Sequence, residues 1–156
     1  MTSQTVNEIK FPRKTIALAS SLISLVFLLS LLIGCDNLDD GGVKLNNEMP
    51  AYAIEYIEKN KILDPTEKLV AYYDVTILLN SSEAAILTNR RVIYHKNNRD
   101  LSIQYTDIED IDHRKETLGG DIFVIKSLNG EIMKIEIAPF NGGEVFKDIL
   151  TDQLNN

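Results

Sequence analysis

The chain is poor in the residues that usually announce chemistry. It has one cysteine, Cys35, in 156 residues, so no disulfide can close within a single copy. It has two histidines, His95 and His113, with no H-E-x-x-H motif and no Cys/His pair, so no metal site can be read from spacing. Its glycine pairs, Gly41-Gly42, Gly119-Gly120 and Gly142-Gly143, lack the following Lys-Ser/Thr of a phosphate-cradling loop. Ser81, Ser82, Ser102 and Ser127 lack a G-x-S-x-G setting. Positive charge is also scarce. The formal net charge is -7. Lys10, Arg13 and Lys14 against Glu8 leave +2 before Cys35, so the remainder carries -9. An acidic domain repels phosphate backbones and anionic headgroups, which argues against nucleic acid and against phosphoinositide-like ligands. Arg90-Arg91 and Arg114-Lys115 are the adjacent basic pairs beyond the N-terminus, and two dipeptides do not make a patch.

What is present begins with an uncharged run. Residues 15–34, TIALASSLISLVFLLSLLIG, hold no charged side chain, and Lys10, Arg13 and Lys14 precede them. Cations ahead of a first apolar segment keep that end in the cytoplasm, so the residues beyond the segment are expected to be exported. The run ends in Leu32-Ile33-Gly34-Cys35, which resembles the lipobox of bacterial lipoproteins. That resemblance implies cleavage before Cys35 and a lipid on its thiol, a stable anchor when two or three acyl chains are carried. Asp36 resembles the signal that retains such proteins on an inner membrane. An uncleaved transmembrane helix is the alternative, because about 20 residues suffice to span hydrocarbon, although Ser20, Ser21, Ser24 and Ser30 weaken the run. Either way residues 36–156 are expected outside the cytoplasm, at the periplasmic face of an inner membrane or the outer face of a cell membrane. The expected divisions are 1–34 signal or anchor, 35–49 flexible tether, 50–62 short helix and 63–156 β domain with a C-terminal helix. Asp36, Asp40 and Gly41 faintly suggest a calcium loop, but Leu38 stands where a ligand should be.

Past the tether the periodicity is plain. Pro50 opens a helix over 51–62 with Ala53, Ile54 and Ile57 on one face. Period-two alternation predicts a strand over 68–79, bent near Asp74, then strands over 84–88, 91–96 and 101–105. Asn97 to Asp100 form a turn, and the spacing of Ile108 and Ile111 predicts a helical turn or bulge. Asn129-Gly130 between residues 122–127 and 131–137 is a hairpin signal resting on residues that tolerate positive φ. Asn141 can cap a final helix carrying Phe146, Ile149, Leu150 and Leu154 in a stripe. The expected fold is mainly β, a small barrel or sandwich plugged by that helix.

Residues 67–154 then resemble the bacterial pleckstrin-homology-like, GRAM-like domains. The resemblance rests on Glu67, on Ile86-Leu87-Thr88-Asn89-Arg90-Arg91-Val92-Ile93-Tyr94, on Ile103-x-Tyr105-x-Asp107-Ile108, on the Asn129-Gly130 hairpin and on the helix with Phe146 and Leu150. It implies a seven-stranded bent sheet with a C-terminal helix and does not imply a ligand. Within the motif, Leu87 reads as core, Thr88 and Asn89 as turn residues, and Arg90 or Arg91 as partner to a carboxylate of Asp107–Asp112.

The remaining candidates read as structural. His95 and His113 are expected to be exposed strand residues, and Glu109, Asp110 and Asp112 a solvated rim. Tyr52, Tyr56, Tyr72 and Tyr73 suit core packing or a partner surface equally. The sequence therefore favours a non-catalytic binding or scaffolding module, membrane-held through Cys35, with an envelope protein as partner and no cofactor or metal. The alternative is a lipid or small hydrophobic ligand binder; a carboxylate-based hydrolase ranks last.

Overall fold

The alternating stretches fold as two antiparallel sheets. The structure, a computed structural model, describes residues 41–156, within a unit spanning Asp39–Asn156. The first sheet has the order β1 (Lys44–Leu45), β2 (Leu69–Asp74), β3 (Glu83–Thr88), β4 (Arg91–Lys96), β5 (Arg99–Gln104). The second has the order β6 (Ile108–Glu116), β7 (Gly120–Ser127), β8 (Ile132–Ile137). Helix α1 (Ala51–Asn60) lies between β1 and β2, and α2 (Gly143–Leu154) follows β8. The fold class expected from the sequence, mainly β with a short leading helix and a C-terminal helix, is the one observed. Among the described residues no helix is long and apolar enough to cross a membrane.

Two apolar clusters explain the strand sequences. The main core unites both sheets with α2, whose Phe146 and Leu150 are buried against Phe123, Ile125, Met133, Ile135 and Ile137. The Phe123 and Phe146 rings pack tilted, 5.3 Å apart. A second cluster lies under α1, where Ala53, Ile57 and Ile62 cover Tyr72, Ala84, Ile86 and Ile93. The first sheet is thus buried on both faces, which is why Ile86-Leu87 and Val92-Ile93 are continuous apolar pairs rather than alternating ones. A bulge between Leu69 and Ala71 assigns Leu69 to the outer cluster and Ala71 with Tyr73 to the main core.

Several expectations need correction. The strand predicted over 68–79 stops at Asp74. The Asp74 carboxylate accepts from the backbone N–H groups of Thr76 and Ser81, both at 2.8 Å, and this turns the chain out of the sheet. Leu79 and Ser81 then take positive φ, and Ile77 and Leu78 are left almost fully exposed. The end of the segment read as a tether is not free chain: Lys44 pairs with Tyr72 and Leu45 with Ala71. On α1 the buried face is Ala53 and Ile57, while Ile54 is 42% exposed. Asn141 does not cap α2; Gly142 sits there at φ 83°, and the Asn141 carbonyl accepts the Val43 N–H at 2.9 Å. In the β7–β8 hairpin only Gly130 uses positive φ, because the loop has three residues between Ser127 and Glu131. The anomaly at Ile108 is the bulge the spacing predicts, between Ile108 and Asp110, after a 3₁₀ turn over Tyr105–Asp107.

One backbone position tests the packing of the second sheet. Gly120 opens β7 at φ 80°, and a Cβ there would collide with the Ile137 carbonyl oxygen and lie 2.8 Å from the Ala138 carbonyl carbon. Gly120→Ala is expected to destabilise the domain by about 3 kcal/mol, measured as a lowered urea midpoint at unchanged slope.

Candidate functional site

The turn joining β3 to β4 gathers the motif residues. Leu87 points into the main core with no exposure. Thr88 Oγ1 accepts the backbone N–H groups of Arg90 (3.1 Å) and Arg91 (3.0 Å) and donates to Glu67 Oε1 at 2.7 Å. Asn89 clamps the neighbouring chain, its Oδ1 accepting the Lys68 N–H at 2.8 Å and its N–H donating to the Lys68 carbonyl at 2.9 Å. The Tyr105 hydroxyl donates to the Thr88 carbonyl at 2.9 Å. Burial pushes the Tyr105 phenol up.

Arg91 does not reach the Asp107–Asp112 stretch expected to pair with it. It grips Glu67 with both prongs, Nε to Oε1 at 2.9 Å and Nη2 to Oε2 at 2.8 Å, and Nη1 donates to Ser102 Oγ at 3.2 Å. The reason is register: Leu69 pairs with Thr88, so the residue two before β2 falls beside the β3–β4 turn, whereas Asp107–Asp112 leads into the other sheet. The Glu67 side chain has no exposure. Burial alone would raise its pKa, but hydrogen bonds from Arg91, Thr88 and the Asp64 N–H together with the guanidinium charge bring it down to about 2. The bond to Glu67 in turn pushes the Arg91 guanidinium up.

With Arg91 engaged, Arg90 points outward. It lines a groove of about 580 Å³ with Asn89, Gln104, Tyr105, Gln153 and Leu154, between the motif turn and the last turn of α2. Amides, hydroxyls and one guanidinium are set among the carbon stems of these side chains and Leu154, which suits an extended segment with both apolar and acidic side chains. Of the motif residues, Asn89, Arg90 and Tyr105 line the groove, Leu87, Thr88 and Arg91 hold the turn behind it, and Arg90 supplies its charge.

Neither histidine is the exposed strand residue expected. His95 is 1% exposed beneath α1. Its Nδ1 meets Asp100 Oδ1 at 2.6 Å, and its Nε2 meets the Tyr56 hydroxyl at 3.1 Å. The order resembles a nucleophilic triad with a phenol in place of serine, but a ring this enclosed offers a substrate no approach, and its effect is to fasten α1 to the sheet. The signal for it was the two-residue turn Asn97-Asn98, whose register sets Asp100 opposite His95. Beside Asp100, a second cavity of about 530 Å³ is lined by Tyr94, Lys96, Arg99 and Leu101. Lys96 is already held by Glu83 at 2.9 Å, and Tyr94 also donates to that carboxylate.

His113 stacks on Phe123 at 4.5 Å and contacts Asp121 at 2.8 Å, diagonally across the β6–β7 pair rather than along β6 to Asp112. Among the described residues, His113, Asp121 and Glu144 could together hold a cation, their ligand atoms lying within 4.8 Å of one another. Lys115 and Lys147 both approach Glu144 at 3.5 Å and neutralise the charge a metal would need. Glu109, Asp110 and Asp112 occupy exposed positions of β6. Of the tyrosines, Tyr72 and Tyr73 are core residues of opposite clusters. Cys35 and the Leu32, Ile33 and Gly34 before it lie outside the described residues, as do Asp36 and Asp40.

No protein-family model matches the chain, and no curated protein matches it in sequence. Among solved structures it is similar to a crystal structure, at 2.00 Å resolution, of a DUF1696 family protein with a pleckstrin-homology domain from Shewanella loihica PV-4. The match has a TM-score of 0.52 and 13% identity, covering 73% of this chain and 98% of that one. At that identity the likeness speaks for the fold, which is pleckstrin-homology-like.

Glu67 gives the site a pH signature. Its folded pKa of about 2 lies below the ordinary 4.5, so its contribution is complete above pH 4.5 and is lost as pH falls toward 2. In urea titrations stepped through that window, the wild type should lose about 3 kcal/mol more than Glu67→Gln, whose stability should fall less steeply.

Proposed function

We propose that the chain is a non-catalytic binding module, held at a cell-envelope membrane through a lipid on Cys35, that takes a protein partner in the groove beside its C-terminal helix. The observation that carries the reading is the groove itself. A buried ion pair fixes the β3–β4 turn, and that turn presents Arg90 and Asn89 to solvent opposite Gln153 and Leu154. A fixed turn loses little entropy on binding, and one guanidinium among amides selects for a carboxylate-bearing segment. The exposed placement of Glu109, Asp110 and Asp112 supports the non-catalytic part, since paired acid–base carboxylates need an enclosing site.

A second reading has a specific feature behind it. The cavity at the β4–β5 hairpin sets Tyr94 and Leu101 beside Arg99 and Asp100, with Lys96 held by Glu83, a mixed lining that suits a lipid or small hydrophobic ligand with a polar end.

Two measurements test the proposal. Intact mass of the membrane-extracted protein should exceed that of the chain from Cys35 onward by the mass of a lipid, and Cys35→Ala should abolish the increment. Crosslinked pull-down from membranes should recover a partner with the wild type, with recovery falling about tenfold in Arg90→Glu, equivalent to ~1.4 kcal/mol. Lys59→Glu on exposed α1 should leave recovery unchanged. Equal recovery with Arg90→Glu would remove the groove from the account.

A further inference from the structure

The opposite end of the domain carries apolar side chains that packing does not explain. Phe140 is fully exposed and Leu118 is 93% exposed, while Val145 in the first turn of α2 is 47% exposed. They border one cleft of about 540 Å³ between the β6–β7 hairpin and the start of α2. Thr117, Pro139, Phe140 and Val145 line it together with the charged Lys115, Glu116, Asp121 and Glu144, and Leu118 follows Thr117 at the hairpin tip. β2 runs toward the same corner, where the Tyr73 hydroxyl accepts the Ala138 N–H at 3.1 Å, and the loop leaving β2 exposes Ile77 and Leu78.

The chain from the N-terminal side joins the domain at this corner too. Val43 donates its N–H to the Asn141 carbonyl at 2.9 Å, and its side chain abuts Gly142. Eight residue steps separate Cys35 from Val43, a reach of at most about 29 Å when fully extended. A folded unit spanning 41–156 has a radius of gyration near 13 Å and so a diameter of roughly 35 Å. The link is therefore shorter than the body it holds.

We infer that this corner beds into the interfacial layer of the bilayer, with Phe140 and Leu118 among the acyl-chain ends. The inference rests on the anchoring of the chain just before residue 36. The link limits Val43 to about 29 Å from the lipid surface, and because it enters at this corner, the apolar tips beside it are the exposed side chains nearest the point of attachment. The occupant is a neutral or zwitterionic bilayer. The nearby cations leave no excess of positive charge: Lys115 and Lys147 share Glu144, Arg114 meets Glu116 at 3.6 Å, Asp121 adds a further carboxylate, and the part of the chain from Cys35 onward is acidic. Attachment at this face is apolar rather than electrostatic, and it turns the Arg90 groove away from the membrane.

The chain contains no tryptophan, so a single introduced one reports alone. Full-length Phe140→Trp and Leu118→Trp, extracted from membranes and reconstituted into phosphatidylcholine vesicles, should show blue-shifted emission quenched by acyl-brominated phosphatidylcholine. Leu128→Trp, at the far end of β7, should stay red and unquenched. All three sites are exposed, and circular dichroism confirms that each variant is folded. Emission at positions 118 and 140 as red and unquenched as at 128, in protein whose mass shows the lipid on Cys35, overturns this inference and leaves the anchor standing. Quenching in protein that lacks the lipid but keeps its N-terminal segment supports the inference and removes the lipidation. A chain that carries no lipid and does not sediment with vesicles overturns both.

Discussion

The carboxylate of Glu67 is buried beside the tight turn that joins β3 to β4 in a doubly covered sheet. Burying such a charge costs several kcal/mol unless it is paired and hydrogen-bonded. Here Arg91 supplies two donors, and Thr88 and the Asp64 backbone supply the others. Each of these groups belongs to a different piece of chain: the exit from α1, the approach to β2, the end of β3 and the start of β4. The arrangement therefore fixes where α1 leaves the sheet and how the β3–β4 turn is held, and it sets the geometry of the groove beyond that turn.

His95 and Tyr72 in the second layer obey the same rule. His95 would be a liability under α1 were both ring nitrogens not answered by Asp100 and Tyr56. Tyr72 shares that layer, its hydroxyl donating to Ser81 at 2.8 Å, and burial pushes its phenol far up. The main core is closed by Phe123, Phe146 and Leu150, so the helix that ends the chain belongs to the packing rather than to an appendage. Helix and sheet meet without slack at Gly143, where a Cβ would collide with the Asp121 carboxylate.

The parts legible in the sequence are those set by periodicity and by turn chemistry. The bounds of β4, the bulge at Ile108, the β7–β8 hairpin and the Phe146–Leu150 stripe are all visible as patterns. The errors come where one side chain overrides a pattern. Asp74 ends an apolar alternation that runs on to Leu79, because its carboxylate captures two backbone N–H groups beyond it. Lys44 and Leu45 look like linker, and only the free edge of β2 makes them a strand. The partner of Arg91 depends on a register between residues 24 apart, and the burial of His95 depends on a helix over its head; neither distance is written in local sequence. The exposed Phe140 and Leu118 cannot be told from core residues until the loops holding them are placed.

The two-residue strand β1 has a mechanical consequence. Force arriving along the backbone from upstream meets Val43 first, and there it acts on the Asn141 bond and on the short pairing with Tyr72 and Ala71. These lie at the rim of the sheet and can open one after another while the aromatic interior stays shut. The rim would behave as a fuse: it yields under tension, lets out slack and spares the folded body from being torn open.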